Sequence, residues 1–351
     1  MIDFDERRLT DLDQLYSAVT DATAAVVKQQ CDLGLDIVSD GEYSKISYAT
    51  YVKERLTGYD GTERRTLSRG PEGDEFPDFD RGGSAIVAFP TNSGRVGLRD
   101  PQAVRRDVAN LKGALPDSSQ AAFMTAASPG VIDTFMPTTY YASDREYLTD
   151  LAQAMKDEYT AIVDAGFVLQ VDCPDLAMSR ISRFGQLTDA EFLNVVQMHI
   201  AVLADVLSDL PRDRLRLHLC WGNYEGPHNH DVPLQDIIGM VFEAPVGGIS
   251  FEAANPRHAH EWQVFTRVAV PDDVTLLPGV IDTCTNYIEH PELVAQRLMR
   301  YAEVVGPDRI IGSTDCGFGT AVRTRRVAPS IAWAKLASLV EGARIASAML
   351  G

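Results

Sequence analysis

The sequence predicts an α/β fold, specifically a TIM-type (β/α)8 barrel, from two observations. First, short runs rich in Val, Ile and Leu alternate with longer helical patterns. The runs are LDIV (35–38), AFMTA (122–126), FVLQV (167–171), LRLHL (215–219), GISFE (248–252), VTLLPGV (274–280) and RIIGST (309–314). Strands separated by helices pair in parallel through right-handed crossovers. Second, every run delivers a polar or reactive group at its C-terminal end: Asp40-Gly-Glu42, Ser128-Pro-Gly, Asp172-Cys173, Cys220, Glu252, Asp282 and Asp315-Cys316. In a barrel those ends share one mouth, whereas the outer strands of an open sheet would hold them apart. Only seven strong strands stand out, so one strand of the eight is atypical or missing.

The helices have recognisable ends. The pattern over about 144–165 opens with Ser143 and Glu146, and that over about 189–209 with Thr188 and Glu191, both spaced as capping boxes. Further helices start after Pro233, after His290-Pro291 and from about Ser330, where proline suits a first turn. An insertion is expected at about 57–118. Its part DGTERRTLSRGPEGDEFPDFDRGGS is rich in charge, Gly and Pro and reads as a long exposed loop or lid. SAIVAFPT (84–91) and GRVGLRD (94–100) flank Asn92-Ser93-Gly94 and read as a hairpin. The whole chain, 1–351, is expected to form a single barrel domain.

Composition excludes several classes. The formal net charge is -18, with 50 acidic against 32 basic residues. Such a chain repels phosphate backbones and anionic lipid, so nucleic acid and membrane surfaces are poor partners. The N-terminus shows no signal peptide and no apolar run approaches a membrane span, which points to a cytoplasmic protein. Five widely spaced cysteines, an odd number, read as free thiols. A homo-oligomer is compatible with all of this.

The stretch RLHLCWGNYEGPHNHD (216–231) concentrates three of the chain's seven histidines. His218 and Cys220 are two apart on a strand and therefore face the same side. Alone, such a pair is usually a core histidine and a small core thiol. Glu252 and Cys316, at two other strand ends, complete one imidazole, two thiolates and a carboxylate. That is a tetrahedral zinc set, and hard cations would not choose two sulfurs. Zinc so held lowers the pKa of a bound thiol and keeps it as thiolate. His228 and His230 follow Gly226-Pro227 in a loop, where facing a substrate, anchoring the loop and ligating metal all stay open. His258 and His260 read as solvated or capping, and mid-helix His199 as structural.

Together the motifs DIVSDGE (36–42), QVDCPDLA (170–177), HLC (218–220), ISFEAAN (249–255), PGVID (278–282) and STDCGFG (313–319) resemble the catalytic barrel of cobalamin-independent methionine synthase. The stand-alone single-domain proteins of that family, within the superfamily that includes uroporphyrinogen decarboxylase, are the nearer likeness. The resemblance spans about residues 15–345. It implies zinc on the same four residues, His218, Cys220, Glu252 and Cys316. It implies that Glu42 and Asp172 hold the amino group of a homocysteine-like thiol, and that Ser128 and its neighbours approach the methyl donor. After PGVID, Asp282 precedes Cys284, which occupies the place of the family's proton-donating histidine. The Gly-Ser-Pro-Arg-like signature of the family's first strand has no counterpart in MIDFDERR.

The implied activity is methyl transfer of the 5-methyltetrahydropteroyltriglutamate–homocysteine class, in methionine biosynthesis, with folate or another compound as donor. Epoxyalkane–coenzyme M transferases resemble the same family. They would need cations for a sulfonate, and Lys45, Arg180 and Arg183 lie close enough in sequence to supply them. A zinc-binding scaffold without catalysis is the third expectation.

Overall fold

A computed structural model describes residues 11–66, 70–79, 86–322, 324 and 326–351. In chain order the strands are β1 (Ile37–Ser39), β2 (Gly61–Thr66), β3 (Ile86–Thr91), β4 (Ala121–Ala127), β5 (Val168–Asp172), β6 (Leu215–Leu219), β7 (Gly248–Glu252), β8 (Thr275–Ile281) and β9 (Ser313–Thr314). All but β2 and β3 form one curled sheet in the order β1-β4-β5-β6-β7-β8-β9. Every neighbouring pair in it is parallel. These seven are the expected strands, and the sheet is of the TIM-barrel kind. Among the described residues β9 and β1 are not paired. Beyond their ends Ser47 and Ala321 form an antiparallel bridge, and Val322 N–H donates to Ile46 O at 3.0 Å. The expectation placed on MIDFDERR lies outside the described residues, as do residues 67–69 and 80–85 of the insertion.

Nine helices of the described chain cover and connect the strands: α1 (Leu12–Leu33), α2 (Gly70–Glu75), α3 (Gln102–Ala114), α4 (Pro129–Phe135), α5 (Asp144–Asp164), α6 (Asp189–Leu207), α7 (Leu234–Val241), α8 (Pro291–Val305) and α9 (Pro329–Leu350). Their ends follow local chemistry. Helix α1 stops at Gly34, whose φ of 88° is the left-handed cap that glycine adopts without strain. At α6 Thr188 and Glu191 form a reciprocal capping box. At α5 Ser143 accepts the Glu146 amide, as the spacing predicts. The core lies between sheet and helices. On β6 and β7 the outward Leu217, Leu219, Ile249 and Phe251 are at most 1% exposed, and each large side chain so buried contributes roughly 1.5–3 kcal/mol.

Two expectations are corrected here. Helix α6 is long and apolar enough to cross a membrane by length and composition, contrary to the sequence reading. Its apolar residues have another use: Phe192, Val196, Ile200, Leu203 and Leu207 are buried in the core. The second correction is the hairpin. Strand β3 pairs antiparallel with β2, from Gly61↔Thr91 to Thr66↔Ile86, and not with 94–100. The Asn92 side chain donates to Gly58 O and Gly94 O at 3.1 and 2.7 Å, folding the turn back on the segment before β2. Residues near 97 then bond to Thr57, whose N–H donates to Gly97 O at 2.8 Å. Helix α3, also within 57–118, packs against α1 and α5 as an ordinary barrel helix.

Candidate metal centre

Strand β6 points Arg216 and His218 into the barrel, and Cys220 continues the same face just past its end. Cys316 follows β9 three strands away. Its Sγ comes within 3.2 Å of Cys220 Sγ. One donor atom each of His218, Cys220 and Cys316 lies within 4.8 Å of the others. His218 Nδ1 is buried and, among the described residues, has no hydrogen-bond partner. Glu252, at the end of β7, stands at the edge of this group, its Oε1 4.0 Å from Cys316 Sγ. Its carboxylate accepts from Trp221 N–H at 2.7 Å and from Asn255 Nδ2 at 3.1 Å. The structure thus brings three of the four expected ligands together and sets the fourth beside them.

Two features that the sequence reading missed fix this arrangement. The Asp315 carboxylate accepts the backbone N–H groups of Ala253, Ala254 and Asn255, each at 2.8 Å. It therefore ties the end of β9 to the end of β7 and sets Cys316 relative to Glu252. Gly279 permits the close approach, since a Cβ there would stand 2.5 Å from Asp315 Cα. Asn223 is the second. Its Nδ2 donates to Gly317 O at 2.8 Å, while its Oδ1 accepts from Thr283 Oγ1 at 2.9 Å and Cys284 Sγ at 2.7 Å. One amide thereby joins the loops after β6, β8 and β9.

Burial, with Arg216 nearby, lowers the His218 pKa to about 4. The hydrogen bond with Cys220, then burial, pushes the Cys316 thiol well up. A soft divalent cation suits what is present: two adjacent thiols, an imidazole nitrogen with no other partner and a nearby carboxylate.

Glu42 and Asp172 sit beside this group. Glu42 has a left-handed φ of 56°. Its Oε1 accepts from Lys45 Nζ at 3.1 Å and Thr125 Oγ1 at 2.5 Å. Burial would raise its pKa, but Lys45 and Thr125 outweigh burial and hold it below the ordinary value. Asp172 ends β5, accepts from Gln170 Nε2 at 2.8 Å, and has its pKa raised to about 7 by burial and then by Glu42. Gln170 in turn accepts from Arg216 Nε at 2.8 Å, and the Arg216 guanidinium lies 3.7 Å over the Phe123 ring.

A pH signature follows for Asp172. A carboxyl whose pKa rises on folding favours the folded state below its unfolded pKa near 4 and loses that benefit as pH climbs through 7. Asp172→Asn is therefore expected to match the wild type in stability at pH 4. At pH 8 the variant should be the more stable of the two. Urea unfolding at the two pH values checks this, and an equal offset at both would contradict it.

The remaining expected residues have local partners. Ser128 is 2% exposed, caps α4 by accepting Val131 N–H at 3.0 Å and donates to Asp175 Oδ1 at 2.6 Å. Asp175 also holds His199 Nδ1 at 2.8 Å, which gives His199 its structural place. Asp282 accepts the N–H groups of Cys284 and Thr285 at 3.0 and 2.9 Å and so shapes its own turn. Burial, and then Asp282, raise the Cys284 pKa, keeping its thiol protonated at neutral pH. Arg180 pairs with Asp189 at 2.9 Å and Arg183 with Asp133 at 2.9 Å.

His230, exposed, bonds Glu75 Oε2 of helix α2 at 2.7 Å. His228 is buried with a φ of 55°, and its Nδ1 lies 2.6 Å from Asp231 Oδ2. His258 is only 3% exposed, which corrects the solvated or capping expectation: it bonds Asp231 Oδ2 at 3.0 Å and Glu261 Oε2 at 2.8 Å. The signal available in sequence was the repeated histidine–carboxylate spacing of three, His228 to Asp231 and His258 to Glu261.

A parallel barrel with thiols, imidazole and carboxylates gathered at one mouth defines a metal-competent catalytic-barrel class. Residues 133–344, more than half the chain, match the family model of the cobalamin-independent synthase catalytic domain, and the chain belongs to that family. It is 24% identical to a 2-hydroxypropyl-CoM lyase of Xanthobacter autotrophicus, over 96% of this chain and 87% of that one. It is 22% identical to a methionine synthase of Saccharolobus solfataricus, over 95% and 86%. Its fold matches a B12-independent methionine synthase from Shewanella sp. W3-18-1, solved in complex with selenomethionine. The TM-score is 0.75 at 20% identity, covering 97% of this chain and 91% of that one.

Proposed function

We propose that this chain transfers a methyl or other alkyl group to a thiol, with zinc held by His218, Cys220, Cys316 and Glu252. The observation that supports this most is the convergence of two thiols and an unpartnered imidazole nitrogen at the barrel mouth. Zinc, when bound, supplies the Lewis acidity that keeps an acceptor thiol as thiolate near neutral pH. The protein's part is placement. Glu42, ionised beside Lys45, and Asp172, poised near neutrality, form two convergent carboxyl groups for an ammonium. The acceptor of first choice is accordingly a homocysteine-like amino thiol. Its sulfur attacks the alkyl carbon, the new S–C bond forms as the carbon–donor bond breaks, and the donor leaves with the electron pair. Cys284, still protonated and 2.7 Å from Asn223 Oδ1, is the S–H group placed to return a proton to it. The donor is a methylated folate or another methyl compound.

A second reading has one observation in its favour. Lys45 is buried against Glu42, and Arg216 lies within the barrel below Asp172. These are cations of the kind a sulfonate-bearing thiol such as coenzyme M needs, with an epoxide as electrophile. Zinc-loaded protein titrated with each thiol, with sulfur ligands counted by X-ray absorption, separates the two. Homocysteine is expected to add a third sulfur at lower concentration than coenzyme M. A sulfur count unchanged by either thiol, or full turnover after metal removal, sinks the proposal.

A further inference from the structure

The loops after β6 and β7 hold a second cluster that the cysteine site does not use. One ligand atom each of His228, Asp231 and His258 lies within 4.8 Å of the others, and His228 Nδ1 and His258 Nε2 both contact Asp231 Oδ2. Their side chains are 3%, 1% and 3% exposed. The far nitrogen of each ring is already engaged, His228 Nε2 with Tyr224 O at 3.0 Å and His258 Nδ1 with Glu261 Oε2 at 2.8 Å. A ring nitrogen facing a carbonyl or a carboxylate carries the proton. If the rings are neutral, both therefore turn lone pairs toward the same Asp231 oxygen, 2.6 and 3.0 Å away. Positive charge must lie between them, either as two further protons or as one divalent cation.

Charge balance is the same for both. Two imidazolium groups against Asp231 and Glu261 sum to zero, and so do two neutral rings, the same carboxylates and a divalent ion. The second oxygen of Asp231 distinguishes them. Oδ1 is buried and, among the described residues, has no hydrogen-bond partner. Protons shared on Oδ2 leave Oδ1 unsatisfied, whereas a cation can take both carboxylate oxygens. Carbonyl and carboxylate partners on the far nitrogens are also how metal-bound imidazoles are held in one tautomer.

We propose that His228, Asp231 and His258 form a second divalent-cation site, of the zinc class. Such burial leaves no open coordination position, so its role is structural. Two ligand atoms about 2.1 Å from a tetrahedral ion lie about 3.4 Å apart. To admit the ion, the 3.0 Å His258–Asp231 contact would open by about 0.4 Å and the 2.6 Å His228–Asp231 contact by about 0.8 Å. The ion would join the loop after β6 to the loop after β7. The Trp221 ring stacks on His258 at 4.1 Å and its backbone N–H donates to Glu252, so the second site would brace the wall behind the first.

Cobalt titration of the metal-free full-length chain tests this, because cobalt–thiolate charge-transfer absorption reports the cysteine site alone. The wild type is expected to bind two cobalt ions per chain. The double variant Cys220→Ser/Cys316→Ser should keep one and lose the thiolate band. His258→Gln and Asp231→Asn should lose one ion and keep the band, with circular dichroism unchanged. A wild type that binds a single ion, abolished by the cysteine changes, overturns the proposal. If the histidine and aspartate variants fail to fold, the count in the wild type against the double cysteine variant still decides.

Discussion

Cys220→Ser and Cys316→Ser are each expected to hold one zinc per chain fewer than the wild type and to lose alkyl transfer. Serine keeps the volume of the side chain but replaces a soft, acidic donor with a hard hydroxyl that does not ionise near neutral pH. The two sulfurs lie 3.2 Å apart and His218 Nδ1 has no hydrogen-bond partner among the described residues, so the proposed site has few donors and removing one thiol leaves too few. Lewis-acid activation supplies several kcal/mol, and its loss should lower kcat/KM by roughly a thousandfold. Glu252→Gln serves as a milder comparison. Its single amide oxygen can still accept from the Trp221 backbone N–H while the Asn255 bond is lost, so the loop should stay largely in place while zinc binding weakens. Metal content and turnover of each variant, alongside far-UV circular dichroism, check the expectation. A cysteine variant with full metal and full activity would falsify the assignment of the site.

The barrel and its cysteine site were legible because both rest on short-range periodicity. Alternation on β6 puts His218 and Cys220 on one face without reference to any other segment. Parallel order then carries Glu252 and Cys316 to the same mouth. The rest depends on pairings that no local pattern encodes. β3 could have folded on either neighbour, and the bonds of Asn92 to Gly58 and Gly94 are among those that hold it against β2. His258 meets Asp231 across 27 residues, so its surroundings could not be read from PRHAHEW. Ser128 and Asp282 show a different limit. Serine and aspartate at a strand end cap turns as readily as they bind ligands, and residue type alone does not choose. Here Val131, Cys284 and Thr285 supply the N–H groups that they accept.

The largest stability effect is expected outside the metal centre, at Arg55. Its guanidinium bonds Asp107 of α3 at 2.6 Å and Glu158 of α5 at 3.0 Å, and all three side chains are at most 9% exposed. Burial works against the charge, but Glu158 and Asp107 outweigh it and hold Arg55 firmly protonated. The guanidinium also lies 4.6 Å over the Tyr51 ring, whose hydroxyl donates to Glu158. Arg55→Met preserves much of the volume and removes the charge, leaving two carboxylates buried without their cation. Such a break costs about 3–5 kcal/mol, against a total stability of about 5–15 kcal/mol for a folded domain. Adding Glu158→Gln and Asp107→Asn removes the stranded charges and should restore most of the loss, whereas a simple packing defect would not be rescued. Urea unfolding of the single and triple variants separates these outcomes, and a single variant within 1 kcal/mol of wild type would rule out the charge argument. The effect should reach the mouth as well. Tyr51 accepts Ala127 N–H at 3.3 Å at the end of β4, and Lys45 lies over its ring at 4.7 Å on the way to Glu42. Arg55→Met is therefore expected to raise the KM for the amino thiol while leaving zinc in place, because the carboxylate that would hold the ammonium depends on this chain of contacts and the metal ligands do not.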